Sequence, residues 1–151
     1  MPSEFRLRRR VNFYETDLAG IVHFSWFFRY MEEAEHALWR QAGLTIATAG
    51  EEIGYPRLAA SCRFYAPLRF EDEFEVWIRV VEMTRRTMRY TSLITRGEVR
   101  IASGSTTMAC VSKRRGEPMR AIDLPPEVAE RFAVVPGDEE ESDGIDDATP
   151  A

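Results

Sequence analysis

One stretch of this sequence has the apolar spacing of a long helix, and the stretches that follow it alternate as strands do. From about Phe24 to Ala42, apolar residues recur every three or four positions, at Phe27, Met31, Ala34, Leu38 and Ala42. Gly43 comes next and is typical of a helix stop. A single long helix among strands favours a fold in which the strands pack against that helix.

The rest of the core alternates between apolar and polar residues. We predict a first strand from Phe5 to Phe13, with Arg9 breaking its alternation, and four more strands over residues 57–64, 74–80, 88–94 and 99–112. Mostly short turns join these four strands, which predicts antiparallel neighbours. Pro125 and Pro126 predict a short helix to about Phe132. The predicted fold class is α+β, an antiparallel sheet of about five strands wrapped around one long helix.

Charge divides the chain into a body and a tail. The formal net charge is −5, but seven of the 25 acids lie within residues 138–147, so residues 1–136 carry 20 bases against 18 acids. We expect one domain over residues 1–136 and a disordered acidic tail over residues 137–151. The weak positive charge of the body is compatible with a polyanionic small ligand and does not indicate nucleic acid.

The cysteines argue against a metal site, and the hydropathy argues against a membrane protein. Cys62 and Cys110 lie in apolar runs and have no Cys or His neighbour at metal-ligand spacing. We expect buried, reduced thiols, no metal and no cofactor. No apolar run reaches the length that spans a bilayer, and the N-terminus lacks the apolar core of a signal peptide. The expected location is the cytoplasm, with no membrane partner.

The segment between the first strand and the helix carries a lone acid and a glycine. Asp17 and Gly20 precede a helix start, where unpaired N–H groups and the positive end of the helix dipole would polarise a carbonyl. A carboxylate within reach of that carbonyl could attack it or activate a water molecule. Asp17 could instead cap the helix or hydrogen-bond its own turn. The residues alone leave these alternatives open.

Two segments of the chain resemble a known enzyme family. They are Phe13-Tyr-Glu-Thr-Asp17-x-x-Gly20-Ile-Val22 with the following helix opening, and Lys113-Arg-Arg-Gly116-Glu-Pro-Met-Arg120-Ala-Ile122-Asp-Leu-Pro125. Both resemble the 4-hydroxybenzoyl-CoA thioesterase family of hotdog-fold enzymes, over roughly residues 5–132. The resemblance implies a hotdog fold and the hydrolysis of a small aryl- or acyl-CoA thioester to the free acid and CoA, with coenzyme A present only as part of the substrate.

The resemblance also implies roles for the residues ahead of the helix. Asp17 matches the family's catalytic carboxylate and would act as nucleophile or general base, the nucleophile being favoured. Phe24 matches the helix-start residue whose backbone N–H binds the oxyanion. Gly20 would permit a tight turn or the close approach of a thioester. His23 adjoins this loop and is a candidate proton carrier on that ground and not from the resemblance, since the family's His comes one place later; the alternatives are a role at the helix start or in the pocket wall.

Several residues of the helix are candidates for the acyl pocket. Trp26, Phe27 and Tyr30 could line it, or could belong to the core. Glu32 or Glu33 matches a family position where an acid can touch the substrate. The alternative for both is a solvated helix face that includes an ion pair between Glu33 and the nearby Arg29.

Basic residues are candidates for the phosphates of CoA. Arg85 and Arg86 match a turn that lies at the CoA phosphates in the family, and an arginine fork suits phosphate oxygens. Residues 8–10 form an arginine triplet that could be a phosphate patch or a solvated strand face. Weaker candidates of the same kind are Arg114, Arg115 and Arg120. The small residues at positions 102–105 would let another backbone or a ligand approach closely.

The resemblance also bears on how the chain assembles and on which carrier holds the acyl group. Hotdog domains typically pair through their sheets with the sites at the subunit interface, so the resemblance implies a homodimer or homotetramer. Two alternatives to CoA thioester hydrolysis are considered. The first is hydrolysis of acyl groups borne by an acyl carrier protein, and the second is non-catalytic binding of acyl-CoA.

Overall fold

A computed structural model describes residues 1–47 and 51–136 of the chain. The predicted disordered tail, residues 137–151, lies outside the described residues. In chain order the elements are β1 (Glu4–Arg10), a 3-10 turn (Phe13–Glu15), α1 (Trp26–Gln41), β2 (Ile53–Gly54), β3 (Arg57–Phe64), β4 (Glu73–Met83), β5 (Thr87–Arg96), β6 (Val99–Ala109), β7 (Val111–Ser112), β8 (Arg120–Ala121) and α2 (Pro126–Ala129).

Five of the strands form one antiparallel sheet in the order β1-β4-β5-β6-β3, and β2, β7 and β8 form a small second sheet. This confirms the predicted α+β class with one long helix and a five-stranded sheet. The predicted run of four neighbouring strands is wrong in one respect. Only β4, β5 and β6 follow each other, because the chain leaves β3 at one edge and crosses to β4 through residues 65–72.

The strand predicted over residues 99–112 is two strands that belong to different sheets. At Cys110 the N–H donates to the Arg86 carbonyl at 2.9 Å, and the carbonyl accepts the Ile122 N–H at 3.0 Å. The chain therefore leaves the large sheet after Ala109 and pairs with β2 and β8 instead. Strands of two residues, such as β2 and β8, are too short to show an alternation in the sequence.

Helix α1 ends where the sequence predicts. Gly43 adopts a φ of +77°, a conformation that glycine reaches without steric cost. Its N–H donates to the Arg40 carbonyl at 3.0 Å, and the Leu44 N–H donates to the Trp39 carbonyl at 2.9 Å. This pair of bonds is the Schellman arrangement, which satisfies carbonyls that the helix leaves open.

The core lies between α1 and the inner face of the large sheet. The buried side of α1 includes Phe27, Tyr30 and Leu38, and the facing strand residues include Val76 and Ile94. Burying one large apolar side chain contributes about 1.5–3 kcal/mol, so this interface is a major source of stability. Two polar groups within it satisfy each other, since Trp39 Nε1 donates to the Tyr90 hydroxyl at 2.9 Å.

A glycine in β6 brings α1 close to the sheet. A Cβ atom at Gly104 would lie 2.8 Å from Met31 Sδ and 2.9 Å from the Ser61 carbonyl oxygen, closer than van der Waals contact permits. The close approach predicted for residues 102–105 is therefore present at Gly104. The group that approaches from α1 is the Met31 side chain.

The C-terminal segment after α2 forms hydrogen bonds with three parts of the chain that are distant in sequence. Arg131 Nη1 donates to the Ala42 carbonyl at the end of α1 at 3.0 Å. The Ala133 N–H donates to Pro2 and the Val135 N–H to Val80, at 3.0 and 2.9 Å. This segment therefore closes the fold against the end of α1 and the adjoining ends of β1 and β4.

Both cysteines are free, but only one is buried. Cys110 is buried as predicted, whereas Cys62 is only partly buried because β3 lies at the sheet edge. Burial raises the pKa of the Cys62 thiol to about 11, which keeps it protonated and unreactive near neutral pH.

Replacing Gly104 with alanine should destabilise the protein. The added methyl group meets Met31 and the Ser61 backbone, and overpacking of this kind costs about 1–3 kcal/mol. Urea denaturation would measure the change in the free energy of unfolding. Ser105→Ala is the matched control, because the neighbouring residue points to the opposite sheet face, and equal stability of the two variants would contradict the packing argument.

Candidate active site

The residues between β1 and α1 form a hydrogen-bonded loop, residues 12–25, which we call the site loop. Its two arms run antiparallel. The Asp17 N–H donates to the Ile21 carbonyl at 2.9 Å, and the His23 N–H donates to the Glu15 carbonyl at 2.9 Å. The Gly20 N–H donates to the Asp17 carbonyl at 3.0 Å and closes the turn between them. The sequence motif thus folds as a narrow hairpin that leads into α1.

Gly20 is required by the conformation of this turn. Its φ is +78°, and nothing lies within 4 Å of the position that a Cβ would occupy. The predicted tight turn is therefore confirmed, and it depends on backbone geometry and not on crowding. The close approach of a thioester to Gly20 stays a prediction.

Asp17 lies near the tip of the site loop with its side chain exposed. Its Oδ1 accepts the Ala19 N–H at 2.8 Å, so the local hydrogen bond considered from the sequence is present. The helix N-cap position belongs to Ser25, so Asp17 does not cap α1. One oxygen of the carboxylate therefore stabilises the turn, and the other is open to solvent.

The turn that leads into α1 leaves a backbone donor without an acceptor. The helix begins at Trp26 and not at Phe24. The turn that leads into it is closed by two bonds between residues three apart, from the Trp26 N–H to the His23 carbonyl at 3.0 Å and from the Phe27 N–H to the Phe24 carbonyl at 3.3 Å. Within residues 1–47 and 51–136 the Phe24 N–H has no acceptor. It is therefore free to bind an oxygen atom near the positive end of the helix.

His23 supports the helix start. Its Nδ1 lies 2.8 Å from the Ser25 hydroxyl, and its ring centroid lies 4.6 Å from that of Phe24. In the described part of the chain no hydrogen bond joins its ring to Asp17. The structure thus places His23 at the site edge, and its proposed role as a proton carrier stays a prediction.

The aromatic residues of α1 divide between core and surface. Phe27 and Tyr30 are 4% and 0% exposed and belong to the hydrophobic core, which supports the core alternative over a lining of the acyl pocket. Burial raises the pKa of the Tyr30 hydroxyl well above its usual value. Trp26 is half-buried, 5.6 Å from the Tyr14 ring. Of the three rings, Trp26 alone is placed to meet a substrate.

Glu32 opens onto a cleft between α1 and the edge strand β3. The cleft is also lined by Phe28, Glu35 and Arg57. Arg57 binds both oxygens of the buried Glu35 carboxylate. Burial acts to lower the pKa of the Arg57 guanidinium, and the pairing with Glu35 outweighs it and raises the pKa. Glu32 is exposed and remains open to a ligand.

The predicted pair between Arg29 and Glu33 is wrong. The Glu33 carboxylate instead accepts a hydrogen bond from Arg9 Nε at 2.6 Å. Arg29 lies over the Trp26 ring, 5.2 Å from its centroid. Glu33 therefore pairs with a residue of β1 and not with the residue one helical turn away.

Arg85 and Arg86 lie in the exposed turn between β4 and β5. Each has its Nε 3.2 Å from Asp123 Oδ1, so two guanidinium groups share one carboxylate. The turn therefore keeps a net positive charge that could meet a phosphate. Arg114 binds Glu52 at 3.0 Å, which leaves it less suited to this role.

Two residues of this region were missed by the sequence reading. Arg9 and Glu15 form a buried ion pair at 2.5 Å beside the site loop. The signal was the break in alternation at Arg9, since this position faces inward between Leu7 and Val11. A charge at an inward position needs a buried partner, so the arginine triplet is not one solvated patch.

Comparisons with known proteins place the chain in a family. Residues 11–132 match the family model of the Thioesterase-like superfamily. The chain belongs to this superfamily. The match spans the site loop, α1 and every strand of the large sheet except β1, and it confirms the family that the two sequence segments implied.

Known relatives share the fold of this thioesterase. A structure from Aquifex aeolicus, described as a hypothetical protein, is 32% identical, with a TM-score of 0.78 over 85% of this chain and 99% of that one. A gentisyl-coenzyme A thioesterase structure is 25% identical, with a TM-score of 0.74 over 83% of this chain and 99% of that one. The 4-hydroxybenzoyl-CoA thioesterase of Pseudomonas sp. is 22% identical over 86% of this chain and 98% of its own length. These similarities confirm the hotdog fold and the thioester hydrolase class.

Two further expectations concern membrane spans and metal sites. None of their helices is both long and apolar enough to cross a membrane. No three metal-ligating side chains cluster among residues 1–47 and 51–136. The absence of a metal from the reaction stays a prediction.

Two substitutions of Gly20 can distinguish a requirement for a positive φ from a requirement for space around the residue. Gly20→Ala should lower the free energy of unfolding by about 1–2 kcal/mol, because alanine resists a positive φ. Gly20→Asn should cost less, since asparagine adopts this conformation more readily. Urea denaturation of both variants would measure the difference, and a larger loss for asparagine would show that space and not conformation limits this position.

Proposed function

We propose that this thioesterase hydrolyses a small aryl- or acyl-CoA thioester to the free acid and CoA at the site loop. One observation carries the proposal. The exposed Asp17 carboxylate and the open Phe24 N–H belong to one hydrogen-bonded hairpin, so a nucleophile and an oxyanion donor are held by the same rigid element. Relatives named as CoA thioesterases support the choice of substrate class.

The chemistry follows from these two groups. The thioester oxygen would accept the Phe24 N–H, beside the positive end of α1, and so become easier to attack. Asp17 would attack the carbonyl carbon and form an anhydride as the CoA thiolate leaves, and water would then cleave the anhydride. The alternative is that Asp17 removes a proton from an attacking water molecule. His23 and Trp26 would border the bound acyl group.

The proposal requires no metal and no cofactor beyond the CoA of the substrate. It also places the protein in the cytoplasm. The two free cysteines support a reducing compartment, because structural disulfides are rare there.

Asp17→Asn should abolish most of the activity. Loss of the carboxylate removes the nucleophile or base, and we expect kcat to fall by about 10²–10⁴-fold. Thiol release from a panel of aryl-, short- and long-chain acyl-CoA esters would measure it, and the best ester would name the acyl class. Glu4→Gln, an exposed acid at the opposite end of β1 from the site loop, is the control.

Two outcomes of this assay would replace the proposal. Unchanged turnover by Asp17→Asn would remove Asp17 from the chemistry. Binding of CoA esters without cleavage of any of them would favour a non-catalytic acyl-CoA binder.

The turn that holds Arg85 and Arg86 would bind the CoA phosphates. Replacing both residues with glutamine should raise KM for a CoA thioester by about tenfold, because charge-assisted bonds to phosphate are lost. KM for the same acyl group on pantetheine, which lacks the nucleotide, should not change. The same acyl group on an acyl carrier protein completes the series, and faster turnover of that substrate would make the carrier protein the natural donor.

Strand β3 supports assembly as a homodimer. All eight of its residues are exposed or half-buried, and Leu58 and Phe64 are 63% and 50% exposed. An apolar edge strand with an unpaired backbone is a surface that proteins normally cover. A second copy pairing antiparallel along β3 would cover it and would close the cleft beside Glu32. A homotetramer remains a further possibility of the family.

The proposed dimer interface can be tested by introducing one charged residue on the edge strand β3. Leu58→Lys should shift the protein from dimer to monomer at micromolar concentration, as measured by sedimentation velocity, because it adds charge to the pairing edge. Val99→Lys is the control, since Val99 is also an exposed apolar residue but lies in the turn region at the start of β6. Dissociation by the Val99 variant alone would place the interface elsewhere.

A further inference from the structure

Arg9 is bound at every one of its donors. Nη1 and Nη2 donate to the two oxygens of Glu15 at 2.6 and 2.5 Å, and Nε donates to Glu33 at 2.6 Å. The two remaining donors reach the Arg10 carbonyl and the second Glu33 oxygen, both at 3.2 Å. The guanidinium carbon also lies 4.5 Å from the centroid of the Tyr30 ring. The side chain therefore has a single defined position.

Its contacts join three elements that must be aligned for the site to work. Arg9 belongs to β1, Glu15 to the site loop, and Glu33 and Tyr30 to α1. Burial acts to lower the pKa of Arg9, but the hydrogen bonds to Glu15 and Glu33 raise the pKa above its usual value. The arginine thus stays charged at any accessible pH, and the link does not depend on titration.

Glu15 connects Arg9 to both arms of the site loop. Its side chain is fully buried, and Oε1 also accepts the Asn12 N–H at 2.7 Å. Its carbonyl accepts the His23 N–H at 2.9 Å. Glu15 is therefore two residues from Asp17 along one arm and bonded to the neighbour of Phe24 on the other.

We propose that Arg9 is a positioning residue, which acts through Glu15 to fix the spacing between the Asp17 carboxylate and the Phe24 N–H. The inference rests on the proposed function of those two groups. Arg9 itself touches neither of them, and its own contacts are all with groups of the protein. Removing its fork would leave the Glu15 carboxylate buried without a full partner and free the loop to shift. A misplacement of about 1 Å can cost a hundredfold in rate.

Arg9→Lys keeps the charge but cannot bind both carboxylates at once. We expect kcat to fall by at least about tenfold while KM for the CoA thioester changes by less than about threefold, since Arg9 makes no contact with the proposed phosphate site. Arg6→Lys is the matched control. Arg6 also lies on β1 and binds a carboxylate, that of Glu75, but on the exposed face of the strand and away from the site loop, so kcat should stay within about threefold of wild type.

A double-mutant cycle distinguishes positioning from general destabilisation. If Arg9 acts by placing Asp17, the effect of Arg9→Lys on kcat should vanish in an Asp17→Asn background. An equal loss in both backgrounds, or a loss that follows the free energy of unfolding, would overturn the proposal. Should Arg9→Lys fail to fold, Glu15→Gln tests the same link while leaving Arg9 paired to Glu33.

Amide hydrogen exchange provides a readout that does not need catalysis. Arg9→Lys should speed exchange of the Asp17 and His23 N–H groups by at least about tenfold relative to amides of β4, because both donate within the site loop. Faster exchange with no kinetic role for Asp17 would leave the positioning link in place and remove the proposed function. Unchanged exchange at both amides would overturn the inference.

Discussion

The packing of α1 into the curved sheet is the interaction on which the rest of the structure depends. Phe27 and Tyr30 are buried in that interface, and they lie one to two turns beyond Phe24. The start of the helix cannot move without disturbing the core, so the donor at Phe24 is held in place by the same apolar burial that stabilises the fold. Sites built on such rigid elements keep their geometry better than sites on free loops. The two aromatic rings therefore support the site from within the core.

The sequence predicted the elements of the fold because helices and strands have different periods. The three-and-four spacing located α1, and Gly43 marked its end by a conformation that few residues adopt. Alternation located β3 to β6, but it reports only which side chains share a face. It could not show that β3 lies beside β6 at an edge or that the last long strand divides at Cys110. Those features depend on pairings between residues far apart in sequence.

The site shows the same difference between local features, which the sequence predicts, and long-range pairings, which it does not. Asp17 and Gly20 were found because turn chemistry is local, and the structure shows the predicted turn. Arg9 was read as one of three solvated arginines, because its partners Glu15 and Glu33 come from separate elements. The inward register of Arg9 was visible in the strand pattern, but the identity of its partners was not. Helical spacing likewise placed Phe27 and Tyr30 on one face without revealing how deeply that face is buried.

The C-terminal segment has a consequence for how the chain acquires its fold during synthesis. Arg131, Ala133 and Val135 bind the end of α1, the residue that precedes β1 by two positions and a carbonyl of β4. These contacts join residues that are about 50 to 130 positions apart, and contacts of such separation form late and slowly. A nascent chain that has exposed α1 and the strands still lacks this closure until residue 135 has left the ribosome. The site loop is therefore made early in translation, whereas the contacts that close the fold at the far end of α1 form only after residue 135 has been made.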